Sequence, residues 1–252
     1  MENNEKLRFI DLNINGKSFE KDIILAKEAE KLGYSHINFT YPIKKYETAE
    51  EYLNQLQKEI QEYSTRKEPL TISQSIHIKS NNSDEMRKTV RKQKKKEKIL
   101  SVFGGDLKIN RAACENLHVD ILSRPYFHRR DSGMNHVLCK EAVRNNVAIE
   151  LCLADIINSY LFYRARTIFQ FKEIIKFYRK FKFPLIITSG AQDFYTMRTP
   201  QDIIAILKTI GLTKPEIKKI TQEYPKEILN YNKEKKNMIV VGVKKIEDPV
   251  IK

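Results

Sequence analysis

The chain has 252 residues, 41% hydrophobic and 31% charged, with 46 Lys and Arg against 32 Asp and Glu for a net charge of +14. The charged fraction, the polar start MENNEKL and the lack of an apolar run of membrane-spanning length exclude a membrane protein and read as a soluble, cytoplasmic chain. The cysteines Cys114, Cys139 and Cys152 are odd in number and form no CxxC, which argues against a disulfide framework or a thiolate zinc site, and reduced, buried thiols are expected.

Strand-like and helix-like stretches alternate from the start. Arg8–Ile14 reads as a strand, and Lys21–Leu32 as a helix with Ile24, Leu25, Ala29 and Leu32 on one face, ended by Gly33. His36–Tyr41 is a second strand closed by Pro42. Thr48 and Glu51 then have the spacing of a capping box for a helix reaching about Tyr63. Leu70–Ile78 is a third strand, Ser83 is placed to cap a basic helix, and Lys98–Phe103 is a fourth strand ending at Gly104-Gly105-Asp106. A helix near Arg111–Leu117 leads to strand Val119–Leu122, and one near Asn135–Asn145 to strand Val147–Leu153. One or two helices fill Ile156–Phe181, and Pro184–Thr188 is the seventh strand. Thr199-Pro200 supplies an N-cap followed by proline, and Thr213 with Glu216 a capping box. Met238–Val243 reads as one more strand, in a tail of 237–252.

Apolar strands separated by helices predict a parallel sheet covered on both faces. Seven or eight such units, with no Pro/Gly/Ser linker, predict an α/β fold with a single closed barrel domain over 1–252. An open doubly wound sheet is the alternative, and the absence of GxGxxG after the first strand argues against dinucleotide binding. Barrels gather functional groups at the C-terminal ends of their strands. Those positions are Asp11, Asn13, Thr40, His77, Gly104, Gly105, Asp106, Arg124, Glu150, Ser189 and Gly190.

The five histidines, His36, His77, His118, His128 and His136, form no HxH, HxxxH or HExxH, so a metal site would need Asp11, His77, Asp106 and Glu150 to converge through the fold. Ser189 in TSGA is no GxSxG elbow, and Cys152 has no partner histidine in the sequence, so no catalytic residue is assigned. Charge gives the stronger signal. Met86–Lys98 holds eight Lys and Arg against one Glu, a one-sided run that suits phosphate better than a merely solvated helix face. The expected RNA-binding residues are Arg87, Lys88, Arg91, Lys92, Lys94, Lys95, Lys96 and Arg111, a second cluster of Arg124, His128, Arg129 and Arg130, then Arg164, Arg166 and Arg198. Phe169, Phe171, Phe177, Tyr178 and Phe181 lie at helical spacing and read as core.

The order of motifs identifies a family. FIDLNI (Phe9–Ile14), LGYSHI (Leu32–Ile37), VFGGDLKINRAACE (Val102–Glu115), VDILSRP (Val119–Pro125), RRDSGMNHVLCKEAVRNNVAIEL (Arg129–Leu151), YRARTIFQF (Tyr163–Phe171) and PLIITSGAQDFYTMRTPQDIIAI (Pro184–Ile206) resemble the archaeal ribonuclease P protein component 3 family, from about Phe9 to Asn232. The resemblance implies an irregular TIM-type barrel and a role in maturing the 5′ ends of transfer RNAs. It implies that the RNA subunit and its magnesium carry the catalysis, and that this chain binds no cofactor. The implied partners are the catalytic RNA, component 2 and other protein subunits, and precursor tRNA. The barrel is also distantly similar to metal-dependent phosphoesterases of the PHP type, which usually carry HxH after the first strand. Here Asp11-Leu12-Asn13 stands in that place. A free-standing phosphoesterase is therefore the alternative reading. The turn Thr188–Ala191 before Arg198 and Pro200 is expected to contact RNA through helix-terminal amides, or to be a structural loop.

Overall fold

The structure is a computed structural model that describes residues 9–93, 98–235, 238–240 and 243–244. Seven parallel strands lie in sequence order, β1 (Ile10–Asn15), β2 (His36–Pro42), β3 (Thr71–Ile78), β4 (Ile99–Phe103), β5 (Ile121–Ser123), β6 (Ala148–Cys152) and β7 (Leu185–Thr188). Each strand is followed by helical structure that returns the chain to start the next one alongside. These are α1 (Phe19–Leu32), α2 (Ile43–Tyr63), α3 (Ser83–Gln93), α4 (Leu107–Cys114), α5 (His136–Arg144), α6 (Ala154–Ile157) and α7 (Leu161–Phe181), then α8 (Pro200–Thr209), α9 (Lys214–Lys218), a π-helical turn at Lys219–Glu223 and α10 (Tyr224–Glu234). No helix among the described residues is long and apolar enough to cross a membrane.

The barrel is almost closed. The amide of Gly190 donates to Asn13 O at 3.0 Å and that of Asn15 to Ala191 O at 2.9 Å, which brings the end of β7 against β1. Side chains sort by strand alternation. Outward strand residues such as Phe39 and Tyr41 and helix residues such as Leu56, Ile60 and Phe171 build the layer between sheet and helices. Inward residues Ile10, Leu12, Ile99, Ile121, Ala148 and Ile186 form a separate apolar plug, sealed from below by Ile228 of α10. Lys235, just past α10, fixes that seal with both Asp120 carboxylate oxygens at 2.7 Å. A bulge in β1 between Asp11 and Ile14 puts Leu12 and Asn13 both on the lumen side.

Local signals set most helix ends. Gly33 adopts φ 88° and bonds back to Ala29 and Glu30, ending α1. Thr199 accepts from the amide of Asp202 ahead of Pro200, and Thr213 with Glu216 forms the expected capping box. Three local expectations are corrected. Thr48 lies inside α2, which begins at Ile43 because the extended backbone of Pro42 already serves as its N-cap. Ser83 is the first residue of α3, and Asn82 does the capping, its Oδ1 accepting from Glu85 N at 2.8 Å. The helix placed near Arg111–Leu117 starts earlier, because the Asp106 carboxylate takes the amides of Lys108 and Ile109. In the tail, β8 (Met238–Val240) and β9 (Val243–Lys244) pair antiparallel in a sheet of their own.

Candidate RNA-contacting face at the barrel mouth

The lumen changes from apolar to polar on the way to the C-terminal ends of the strands. His36 bridges Thr71 and Ser73 through its two ring nitrogens at 2.7 and 2.8 Å, and burial depresses its pKa to about 3. Above it Asn38 links Leu12 O, Ser73 and Ser75, and Ser75 bonds Thr40. At the top, Glu150 Oε1 accepts from Asn13 Nδ2 at 2.7 Å and from the Thr188 hydroxyl, while Glu150 Oε2 is buried without a hydrogen-bond partner. His77 stands nearby with Nδ1 at 3.3 Å from Ser101 Oγ. Burial, outweighing the pull of Glu150, lowers its pKa to about 4 and keeps the ring neutral at neutral pH.

Of the carboxylates that sequence spacing allowed to converge, Asp11 and Glu150 feel each other's charge, but each is already hydrogen-bonded within the barrel. Asp11 lies under the β1–β7 seam, where it accepts the amides of Asn13 and Ser189 at 3.1–3.2 Å. Asp106 is spent on capping α4. No group of three His, Cys, Asp or Glu side chains suited to a metal ion occurs among the described residues. Cys152 sits under Arg124, whose Nη2 is 2.8 Å from its sulfur, yet burial raises the thiol pKa well above its usual value. A buried neutral thiol is a poor nucleophile.

Over this floor opens a cavity of about 590 Å³ lined by Asn13, Thr40, His77, Phe103, Ser123 and Arg124, with Lys17, Lys45 and Lys79 on its rim. The loop after β5 borders it and carries the second basic cluster. Arg124 and His128 both adopt left-handed backbone, φ 51° and 55°, a conformation that costs on the order of 1–2 kcal/mol each and persists only where surroundings impose it. Asn110 of α4 imposes it here. Its buried amide donates to Pro125 O at 2.9 Å and Gly133 O at 3.0 Å, and its oxygen accepts from Gly105 N at 3.0 Å. Asn110→Ala is expected to lower the unfolding free energy by about 3 kcal/mol, because it leaves two loop carbonyls and one loop amide without their partners. Urea denaturation measures this, and a loss below about 1 kcal/mol would mean that the loop holds itself.

The expected RNA-binding residues fall into three groups. Lys88, Arg91 and Lys92 are exposed on α3, and His128 and Arg130 are exposed on the β5 loop. Lys94, Lys95 and Lys96 lie outside the described residues. A second group is partly occupied. Arg87 and Arg111 share Glu115 at 3.1 and 2.7 Å, Arg129 grips Asp131 and donates to Gly105 O, and Arg166 lies 4.5 Å over the ring of Phe162. The third group is engaged by the protein itself, with Arg164 nonetheless exposed. Arg124 is 3.4 Å from Asp155, Arg164 donates to the carbonyls of Ile156 and Ile157, and Arg198 donates to those of Tyr195 and Met197. The turn Thr188–Ala191 closes the barrel, with Ser189 on Asp11 and Gly190 on Asn13. Of the aromatics read as core, Phe171 and Tyr178 are buried, whereas Phe169 is 56% exposed.

Comparison with known proteins places this chain in a family. The RNase P subunit p30 family model matches residues 8–237. The chain belongs to the RNase P subunit p30 family. "Ribonuclease P protein component 3" of Methanothermobacter thermautotrophicus is 40% identical over 240 residues, covering 94% of this chain and 95% of that one. Among solved structures, a chain of an archaeal ribonuclease P determined by cryo-EM with mature tRNA superimposes with a TM-score of 0.80 at 30% identity, over 96% of this chain and 99% of the other. A. niger ochratoxinase, at 10% identity and a TM-score of 0.58 over 88% of this chain and 71% of its own, shares the fold alone. The TIM-like barrel and the family read from the motif order therefore hold for this p30-family chain. Sequence reasoning missed Lys17, Lys45 and Lys79 on the cavity rim and Phe103 in its wall. The three lysines follow β1, β2 and β3 by only a few residues, where a barrel aims its loops, so the signal was present.

Proposed function

We propose that this chain is a protein subunit of ribonuclease P that binds and shapes RNA and supports removal of 5′ leaders from precursor tRNA, with the chemistry carried by the RNA subunit. The observation that carries this is the fit of nearly the whole chain to one chain of the archaeal ribonuclease P solved with mature tRNA. The net charge of +14 and the exposed cations of α3 and the β5 loop suit a phosphate backbone. The proposed partners are the catalytic RNA, precursor tRNA, component 2 and further protein subunits. Magnesium belongs to the RNA, no cofactor is held by this chain, and the particle works in the cytoplasm.

Reconstitution tests the reading. Alone, the chain is expected not to cleave precursor tRNA. Added to the RNA subunit with the partner proteins, it is expected to raise activity at moderate magnesium, since its cations replace part of the counterion requirement. Glu150→Gln and His77→Ala should leave the single-turnover chemical step unchanged. Loss of that step with assembly intact would assign catalytic groups to the protein. The triple change Lys88→Ala, Arg91→Ala, Lys92→Ala should reduce the log–log salt slope of RNA binding by about 1 for each phosphate contact removed. An unchanged slope would make α3 a solvated face.

A further inference from the structure

The cavity at the barrel mouth is built in two tiers with different chemistry. The rim is cationic. Lys45 and Lys79 are exposed, with no carboxylate paired to either among the described residues, and Lys17 donates to Gln192 O at 2.8 Å, which leaves its charge unneutralised. The one acid in the lining, Glu85, already accepts from Ser80 Oγ at 2.7 Å. Apart from Arg124, which is paired with Asp155, the floor is uncharged in its lining and rich in hydrogen-bonding groups. Ser123 is fully buried yet lines the cavity, and its hydroxyl has no partner. His77 spends Nδ1 near Ser101, which leaves Nε2 for a further partner, and Asn13 spends its amide nitrogen on Glu150, which leaves its oxygen. The wall is the ring of Phe103, 5.3 Å from Lys79 Nζ and edge-on to Phe127. A buried hydroxyl without a partner costs stability unless a bound molecule satisfies it.

A ligand that matches all of this has an anionic end, a flat apolar face and a polar edge. We propose that the barrel mouth binds a single unstacked nucleotide, its phosphate held by the lysine rim and its base inserted against Phe103 and the hydrogen-bonding floor. A cavity of about 590 Å³ has room for one nucleotide and is too narrow for a duplex. The nucleotide is either a residue flipped from single-stranded RNA or a free mononucleotide, and the chemistry is common to both. The RNA source rests on the RNA-binding reading above, and the free source does not.

The test uses the purified full chain. It is titrated with a short single-stranded RNA, with the same strand in a duplex, with each of the four nucleoside 5′-monophosphates and with inorganic phosphate, and binding is followed by amide NMR shifts and calorimetry. Single strand is expected to bind about tenfold tighter than duplex, with shifts at Asn13, Thr40, His77 and Ser123, and Lys45→Ala with Lys79→Ala should weaken it by about tenfold. Ser123→Ala separates a ligand role from a structural one. It should leave the melting temperature unchanged or raised, since it deletes an unpartnered hydroxyl, yet weaken nucleotide binding by at least about fivefold. The α3 triple variant should weaken duplex and single strand alike. Mononucleotides that shift the same amides as strongly as single strand would support the site and assign it to a free ligand. If the wild type binds RNA while Ser123→Ala and the lysine variants bind single strand as it does, the mouth proposal fails and the RNA-binding reading stands. If no RNA and no nucleotide binds, both fail.

Discussion

Gly190→Ala is expected to lower the unfolding free energy by about 3 kcal/mol, combining a left-handed backbone closed to alanine with overpacking of a tight site. Gly190 has φ 63°, and a Cβ there would lie 2.2 Å from Cys152 Sγ and 2.9 Å from Arg124 Nη2. Neither neighbour can retreat easily. Cys152 is fully buried in β6, and Arg124 is held by Cys152 and Asp155. The Gly190 amide donates to Asn13 O, so a shift to relieve the clash pulls at the barrel closure. Adding Cys152→Ala to Gly190→Ala removes the nearest clash and should recover about 1 kcal/mol in a double-mutant cycle. Urea unfolding of the four proteins measures this. Additivity of the two changes would show that the sulfur is not the obstacle.

Asp11→Asn is expected to stabilise the protein at pH 8 and to change little at pH 4. Complete burial raises the Asp11 pKa from 3.8 to about 7, against the opposing hydrogen bonds from Ser189 and Asn13. A raised carboxyl pKa means that the folded state holds a proton that the unfolded state has released. Between pH 4 and 7 the unfolded chain therefore binds fewer protons, and stability falls as pH rises. Above pH 7 the accumulated cost reaches about 4 kcal/mol, since each pKa unit is worth about 1.4 kcal/mol. Asparagine mimics the neutral acid. Its oxygen can take the amides of Asn13 and Ser189, both of which reach Asp11 Oδ1. The difference between wild type and variant should open progressively across that window. A constant difference from pH 4 to 8 would show that Asp11 titrates normally.

What the sequence made legible was local. Gly33, Thr199-Pro200 and the Thr213–Glu216 box act within a few residues, and each ends or begins a helix where its letters say. The same letters misled at Thr48 and Glu51, because a capping-box pattern inside a helix looks like one at its start, and Pro42 had already set the boundary. Strand order and the mouth positions were readable from the alternation of apolar runs. The direction of individual side chains was not. The β1 bulge turns Asn13 into the lumen beside Glu150, which period-two counting does not foresee. Arg124 meets Asp155 and Cys152 only because β5 and β6 are neighbours, so its burial could not be read from SRPYFHRR. The cations of α3 were legible as charge, since nothing distant claims Lys88, Arg91 or Lys92 among the described residues.

The β1–β7 seam has a consequence for the order in which the chain folds. Every other pairing joins neighbours in sequence, so the sheet can grow strand by strand as the polypeptide leaves the ribosome, each step closing a modest loop. The seam joins Asp11 to Ser189, 178 positions apart, and it pairs through two backbone hydrogen bonds, the Asn15 side-chain amide on Gly190 O and one carboxylate instead of a full ladder. Its loop entropy is the largest in the barrel and its local reward is small. Closure should thus come last in folding, and the seam should open first in the native state. The amides of Asn15 and Gly190 would then exchange with solvent through openings that leave β3 and β4 intact.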